Sequence, residues 1–250
     1  MRAVSSLIRW SVGLPYSLLV MSFLFLASYV VPLPRLHPVI RVLFRSMLWI
    51  FGLRVEVEGL DQIDPTRGYL YMSNHVNLFE PFVVAAYFPQ WVVGVEKRAN
   101  FKIPVYGPLI RRWGNIAIDR DNTASAIQSL ERGKAALAQG ICVQLMPEGT
   151  RTKDGSLGPF KKGGFHLALD TGAAIAPYAY QGMFDFYKTG SWLLTPTTLR
   201  VVFRAPIETA GLTRADLPEL MTRVRDEIAG ALEPGLARIV PADPAPSATI

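Results

Sequence analysis

The sequence predicts an α/β fold: a mixed, largely parallel sheet flanked by helices, with a hydrophobic helical hairpin ahead of it. Three observations carry this expectation. From about residue 54 onward, short apolar runs alternate with helical stretches, the texture of a layered α/β domain. The residues able to do chemistry cluster where those apolar runs end, the place where open α/β sheets keep their sites. Ahead of residue 54 the chain is mostly apolar, and the 25 residues from Trp10 to Pro34 hold no charged side chain.

That first stretch is long enough to cross a bilayer, which takes about 20 apolar residues. It lacks the small-x-small cleavage site of a signal peptide, and a second apolar segment follows at once. This second segment, Leu36 to Leu53, carries Arg41 and Arg45 among its apolar residues and reads as an amphipathic helix lying in the membrane interface. Basic residues flank the first segment on both sides (Arg2 and Arg9; Arg35, Arg41 and Arg45), so charge counting fits a crossing and a hairpin dipped into one leaflet equally well.

After Gly52 the pattern changes. Arg54 to Glu58 alternates with period two, as a half-buried strand does. Further strands are expected at Gly68–Ser73, Trp91–Val95, Asn115–Asp119, Ile141–Met146, Ala174–Tyr180 and Leu199–Arg204. Helices are expected at Pro81–Phe88, at Thr123–Gln139 with Asn122 or Thr123 as cap and Gly140 as stop, through Phe160–Thr171, and along the stripe Leu217, Leu220, Met221, Val224, Ile228 and Leu232. Pro and Ala dominate the tail from Pro234 to Ile250, which is expected to be disordered. The chain thus divides into an anchor (1–53), a catalytic domain (54–233) and a tail (234–250).

The composition narrows the partners. Half of the 250 residues are hydrophobic, the formal net charge is +6, and the mean hydropathy is +0.23. A basic balance calls for an anionic partner, and positive hydropathy favours a membrane surface over nucleic acid. The basic residues also do not interleave with aromatics as a nucleic-acid groove requires. A single cysteine, Cys142, excludes an intrachain disulfide and sits in an apolar run as a core residue, which fits a reducing, cytosol-facing domain.

Three clusters carry the chemistry. In Ser73-Asn74-His75-Val76-Asn77-Leu78-Phe79-Glu80-Pro81, His75 follows an apolar strand, and Pro81 marks Glu80 as a helix cap. A carboxylate one short loop away can orient the imidazole as a general base. In Gly114-Asn-Ile-Ala-Ile-Asp119-Arg120, preceded by Arg111 and Arg112, a guanidinium at a strand end suits phosphate oxygens. In Met146-Pro147-Glu148-Gly149-Thr150-Arg151 a strand ends in a turn, where Gly149 admits close backbone approach. Lys161 and Lys162 follow at a helix start, an anion-binding arrangement. No His-Glu-x-x-His or other metal-binding spacing is present, and no Gly-x-Ser-x-Gly nucleophile elbow. His37 and His166 read as structural.

In this order and spacing the clusters resemble the glycerophospholipid acyltransferase family. That family carries Asn-His-x4-Asp, Gly-x-x-Phe-Ile-Asp-Arg, Phe-Pro-Glu-Gly-Thr-Arg-Ser and an apolar strand ending near a proline. This chain has Asn74-His75-x4-Glu80, Gly114 to Arg120, Met146-Pro-Glu-Gly-Thr-Arg151-Thr152 and Ala174-Ile-Ala-Pro177. The likeness runs from about Val55 to Pro206, and the one departure is Glu80 where the family has Asp. The resemblance implies a membrane-bound enzyme, its catalytic domain on the cytoplasmic side of the cell membrane. It would move a fatty acyl group from acyl-CoA or acyl carrier protein directly to the free hydroxyl of 1-acylglycerol 3-phosphate, without cofactor or metal. His75 and Glu80 would be catalytic. Arg120, Glu148, Gly149, Thr150 and Arg151 would bind substrate, with Lys97 adding to them. Another lysolipid, glycerol 3-phosphate, or a non-catalytic lipid-binding role on the same scaffold are the alternatives.

Overall fold

The structure, a computed structural model, describes residues 1–119 and 123–232, with the backbone alone for residues 123 and 124. Arg120, the expected cap Asn122 and the expected disordered tail lie outside the described residues. The chain opens with α1 (Arg2–Ala27), turns through residues 28–36 and returns as α2 (His37–Phe51). There follow β1 (Leu53–Glu58), β2 (Leu70–Met72), α3 (Glu80–Tyr87), β3 (Val92–Lys97), α4 (Tyr106–Trp113), β4 (Ile116–Ile118) and α5 (Thr123–Ala138). The remainder is β5 (Cys142–Leu145), α6 (Gly163–Thr171), β6 (Ile175–Gln181), α7 (Met183–Phe186), β7 (Thr197–Phe203) and α8 (Leu217–Gly230).

Seven strands form one sheet in the order β1-β7-β6-β2-β5-β3-β4, with every neighbouring pair parallel except β6 and β7. The mixed, largely parallel sheet is therefore as expected. Its central strand β2 lies between β5 and β6, and the segments leaving β2 and β5 emerge side by side at one edge. Strand alternation splits the core in two. Tyr69 and Tyr71 face the layer containing α1, α2 and α3, whereas Leu70 and Met72 face the layer containing α6 and α8.

The two N-terminal helices pack together and form part of this core. Along α1, Ser6, Gly13, Ser17, Val20, Met21 and Leu24 make one buried stripe. In α2, Ile40, Phe44, Met47, Leu48 and Phe51 are buried in the same cluster as α3 and β7. The amphipathic reading of this helix thus locates its apolar face correctly, but that face meets protein; only Val39, Val42 and Trp49 remain outside as exposed apolar residues. Each fully buried Leu, Met or Phe contributes about 1.5–3 kcal/mol, so this packing is substantial.

The basic residues around the apolar segments terminate helices. The Arg9 guanidinium donates to the Ile50 carbonyl near the end of α2 at 3.0 Å. Arg45 and Arg41 donate to the Ala86 carbonyl in the last turn of α3 at 3.1 and 3.3 Å, and Arg112 of α4 donates to the Ser28 carbonyl just past α1. Cations at helix C-termini satisfy carbonyls that have no intrahelical partner and offset the negative end of the macrodipole. A charge census along the sequence counts Arg9, Arg41 and Arg45 as flanks of a membrane segment; in the fold Arg9 ties the two hairpin helices together, and Arg41, Arg45 and Arg112 join the hairpin to the domain.

α4 was not among the expected helices. Its first turn contains Gly107-Pro108, a dipeptide that signals a break, yet Pro early in a helix sacrifices no intrahelical hydrogen bond. Val105 ahead of it has a positive φ of 63°, and Tyr106 N–H closes on the Pro104 carbonyl at 2.7 Å in a strained three-residue turn.

Candidate active site

His75 stands at the C-terminal end of β2, three residues beyond Met72. Its ring Nδ1 lies 2.7 Å from the Glu80 carboxylate Oε2. Glu80 is the first residue of α3 instead of its cap, and its side chain bends back into the 75–79 loop. There its Oε1 accepts from the Asn77 N–H at 2.9 Å and from the Val76 N–H. The residue is fully buried. Two backbone N–H groups and the His75 ring hold this buried carboxylate in one orientation.

The loop itself is held from three directions. The Asn74 side chain exchanges two hydrogen bonds with the Tyr180 backbone on β6, donating at 3.2 Å and accepting at 2.9 Å. Asn77 Nδ2 donates to the carbonyls of Met183 and Tyr187 at 2.8 and 3.1 Å. The turn after β5 holds the backbone of His75 itself. Glu148 Oε1 accepts from the His75 N–H at 2.7 Å, and the Thr152 N–H donates to the His75 carbonyl at 2.9 Å.

Glu148 therefore faces inward, where its second oxygen accepts from the Gly158 N–H at 2.7 Å. A side chain at residue 158 would begin 2.8 Å from that oxygen, so the contact requires glycine. Burial raises the Glu148 carboxyl above its usual range, while the backbone N–H of His75 and that of Gly158 pull it back. Its neighbours in the motif lie differently. Gly149 adopts a positive φ of 70°, and Arg151 is exposed.

His75, Gly149, Thr150, Arg151 and Lys97 line one cavity of about 2270 Å³. One arm of it runs between α2, α3 and α4, where Phe44, Phe82, Leu109 and Trp113 make an apolar wall and Met21 of α1 contributes. His37 packs edge-on against Trp91 at 5.8 Å along this arm, in keeping with the structural role expected of it.

Sequence reasoning missed a polar group in the lining of the cavity. Glu96 on β3 accepts from Tyr106 Oη and Asn115 Nδ2, both at 2.8 Å, and from Asn100 Nδ2 at 3.0 Å. Burial, then the Glu96 charge, holds the Tyr106 phenol well above its usual range, with the Arg151 charge acting the other way. The motif residue Asp119 donates its backbone N–H to Ser125 Oγ at 3.1 Å. Cys142 is buried in the sheet, its thiol pushed up to about 11 by desolvation, which leaves it inert as a nucleophile. Among the described residues no group of three or more His, Cys, Asp or Glu could hold a metal ion.

A model of the family described as Acyltransferase matches residues 54–181. The chain is 33% identical over 188 residues to the human 1-acyl-sn-glycerol-3-phosphate acyltransferase alpha, covering 75% of this chain and 66% of that protein. It is 31% identical over 181 residues to a 1-acyl-sn-glycerol-3-phosphate acyltransferase of Limnanthes douglasii, covering 72% and 64%. The matched region is thus just under two thirds of the length of these relatives. Among solved structures, the fold is similar to that of the 1-acyl-sn-glycerophosphate (LPA) acyltransferase PlsC from Thermotoga maritima, with a TM-score of 0.77, 21% identity, and coverage of 92% of this chain and 94% of that one.

Proposed function

The chain belongs to the acyltransferase family, and from that premise we propose that it transfers a fatty acyl group from a thioester donor to the free hydroxyl of 1-acylglycerol 3-phosphate. The product is phosphatidic acid and the free thiol. The observation that carries the reading is the His75 ring, fixed through Nδ1 to buried Glu80 and lining the same cavity as Arg151 and Lys97.

In this mechanism the Nδ1–H of His75 donates to Glu80, which leaves Nε2 as the base. Nε2 takes the proton of the acceptor hydroxyl as its oxygen attacks the thioester carbonyl. The C–S bond then breaks, and the imidazolium returns the proton to the departing thiolate. Glu80 stabilises the imidazolium in between, and no acyl-enzyme forms. Glu148 acts on the backbone of His75, as a positioning residue, and does not need to touch substrate. Arg151 and Lys97 hold the acceptor phosphate, helped by the backbone at Gly149 and by Thr150. The Gly114–Arg120 motif assigns Arg120 to the same task.

Membrane association is supported by α1, which among the described residues is long and apolar enough to cross a membrane. Leu7, Ile8, Val12, Leu19, Phe23 and Leu26 are each more than half exposed on it. Both ends of α1 are tied to the domain, through Ser6 to Leu194 and through Ser28 to Arg112. We read it as lying against one leaflet, with the domain on the cytoplasmic side, instead of passing through.

The direct test is His75→Ala in the purified, detergent-solubilised protein, with product followed by mass spectrometry. Loss of a general base should lower kcat by about 10²–10⁴-fold with the circular dichroism spectrum unchanged. Turnover like that of the wild type would overturn the mechanism.

A further inference from the structure

The segment between β5 and α6, residues 146–162, makes two contacts with the backbone of His75. The Glu148 carboxylate takes its N–H, and the Thr152 N–H donates to its carbonyl. Much of the remaining hydrogen bonding in the segment is internal. Its ends meet where the Lys161 N–H donates to the Pro147 carbonyl at 2.8 Å. Its tip is a turn in which Asp154 accepts from the Ser156 N–H and Oγ at 3.0 and 2.6 Å. A segment closed mainly on itself can shift as a unit and carry Glu148 away from His75, so its hold on the rest of the fold bears on the site.

Leu157 is buried in the core beside α6 and α8, and the polar part of that hold comes from α8, well beyond the last motif residue. Arg225 lies half-buried on this helix and has no carboxylate partner among the described residues. Its guanidinium forks onto two consecutive carbonyls of the segment, Nη1 donating to Gly158 at 2.6 Å and Nη2 to Leu157 at 3.1 Å. Its Cζ lies 5.3 Å from the centre of the Phe160 ring, which itself stacks on Phe165 of α6. The Leu157 carbonyl and the Gly158 N–H belong to one peptide group, and that N–H is the one that donates to Glu148 Oε2 at 2.7 Å. A single peptide thus stands between a guanidinium and a buried carboxylate, with its dipole favourable to both. Each hydrogen bond in such a chain polarises and strengthens the next. Glu148 has no ion-pair partner of its own among the described residues, so the charge one peptide away offsets part of the cost of burying it.

We propose that Arg225 is a positioning residue for acyl transfer, holding the His75 backbone in place through the Leu157–Gly158 peptide and Glu148. The kinetic consequence rests on the acyl-transfer reading above; the structural one rests on the hydrogen-bonded chain alone. Arg225 is not among the residues that line the cavity. Its loss therefore acts on the placement of the base and so on kcat, while the contacts that bind donor and acceptor stay as they are. Lysine replaces it only in part, because an ammonium keeps the charge but lacks the planar fork that reaches two carbonyls at once. The same helix offers a control. Glu227 pairs with Arg204 at 2.8 Å, which ties α8 to the end of β7 by a contact of similar exposure that lies outside the chain to His75.

The test compares Arg225→Met, Arg225→Lys and the control Glu227→Gln in steady-state transfer by the purified full-length protein. Arg225→Met should lower kcat about tenfold, the effect of one hydrogen bond to a charged group, with the KM of donor and of acceptor within about twofold of wild type. Arg225→Lys should recover part of the loss, and Glu227→Gln should keep the wild-type kcat. In a Glu148→Gln background the chain is already broken, so adding Arg225→Met should change kcat by less than about twofold. Losses that multiply in the double variant, an equal loss in Glu227→Gln, or an unchanged kcat in Arg225→Met would each overturn the proposal. Hydrogen exchange followed by mass spectrometry separates this claim from the acyl-transfer reading. The amides of residues 74–80 should exchange faster in Arg225→Met than in wild type or Glu227→Gln, whether or not any acceptor turns over. Exchange there as slow as in the wild type would remove the chain from Arg225 to His75.

Discussion

At the scale of single residues, the site depends on two buried carboxylates with different tasks. Glu80 orients the imidazole and Glu148 orients the backbone that carries it. Glu80→Gln keeps the shape but removes the charge and turns an amide N–H₂ toward backbone donors, so kcat should fall about 10²–10³-fold. Glu80→Asp keeps the charge and should lose less; steady-state rates in which Gln outperforms Asp would contradict the assignment. For Glu148 the sign of the pH dependence follows from its raised carboxyl. A group whose pKa is higher folded than unfolded stabilises most below its unfolded pKa, and that contribution is lost as pH rises through the folded value. The melting temperature of wild type minus that of Glu148→Gln should therefore fall as pH rises from about 4 to 7. A difference that grows with pH would show the carboxylate to be better solvated than its burial implies.

At the scale of elements, α1 and α2 are at once core and exposed apolar surface. Deleting residues 1–52 would uncover Phe79, which packs on Trp10 and Phe51, and remove Phe44, Met47, Leu48 and Phe51 from one cluster. Each such loss costs several kcal/mol against a typical total of about 5–15, so the truncated chain should fail to fold as a soluble domain. The membrane role is tested instead on the outer face alone. Replacing Leu7, Val12 and Leu19 by Ser should leave the circular dichroism spectrum intact and lower co-sedimentation with anionic vesicles. Undiminished sedimentation would place the lipid contact elsewhere. The sequence made these helices legible because apolar runs of that length have few other uses. It could not show what their buried stripe meets, since Ile40 or Met47 packs against partners far along the chain.

Over the whole molecule, the order of strands and helices was readable because hydrophobic periodicity switches from two to 3.6 at each boundary, and His75 with Glu80 was readable because a short loop joins them. The contacts that remained hidden are long-range. Glu148 reaches His75 across 73 residues, Tyr106 reaches Glu96 only because a strained turn and an unexpected helix bring it back, and Lys162 faces the cavity by virtue of how α6 leaves the sheet edge. Spacing along one chain carries no signal for such meetings. What the fold adds is a contrast between its two layers, exposed apolar side chains on α1 in one and paired charges on α5 and α6 in the other, with His75 at the sheet edge between them. Two cationic side chains, Arg151 and Lys97, line the cavity with the base, and they suit a phosphomonoester better than a bulkier, less charged phosphodiester headgroup. The deciding measurement is kcat/KM for lysophosphatidic acid against lysophosphatidylcholine, with the same acyl donor and the purified protein in detergent. Lysophosphatidic acid should be preferred at least about tenfold, the effect of one charge-assisted contact; equal use of the two, or a preference for lysophosphatidylcholine, would contradict a phosphate held by Arg151 and Lys97.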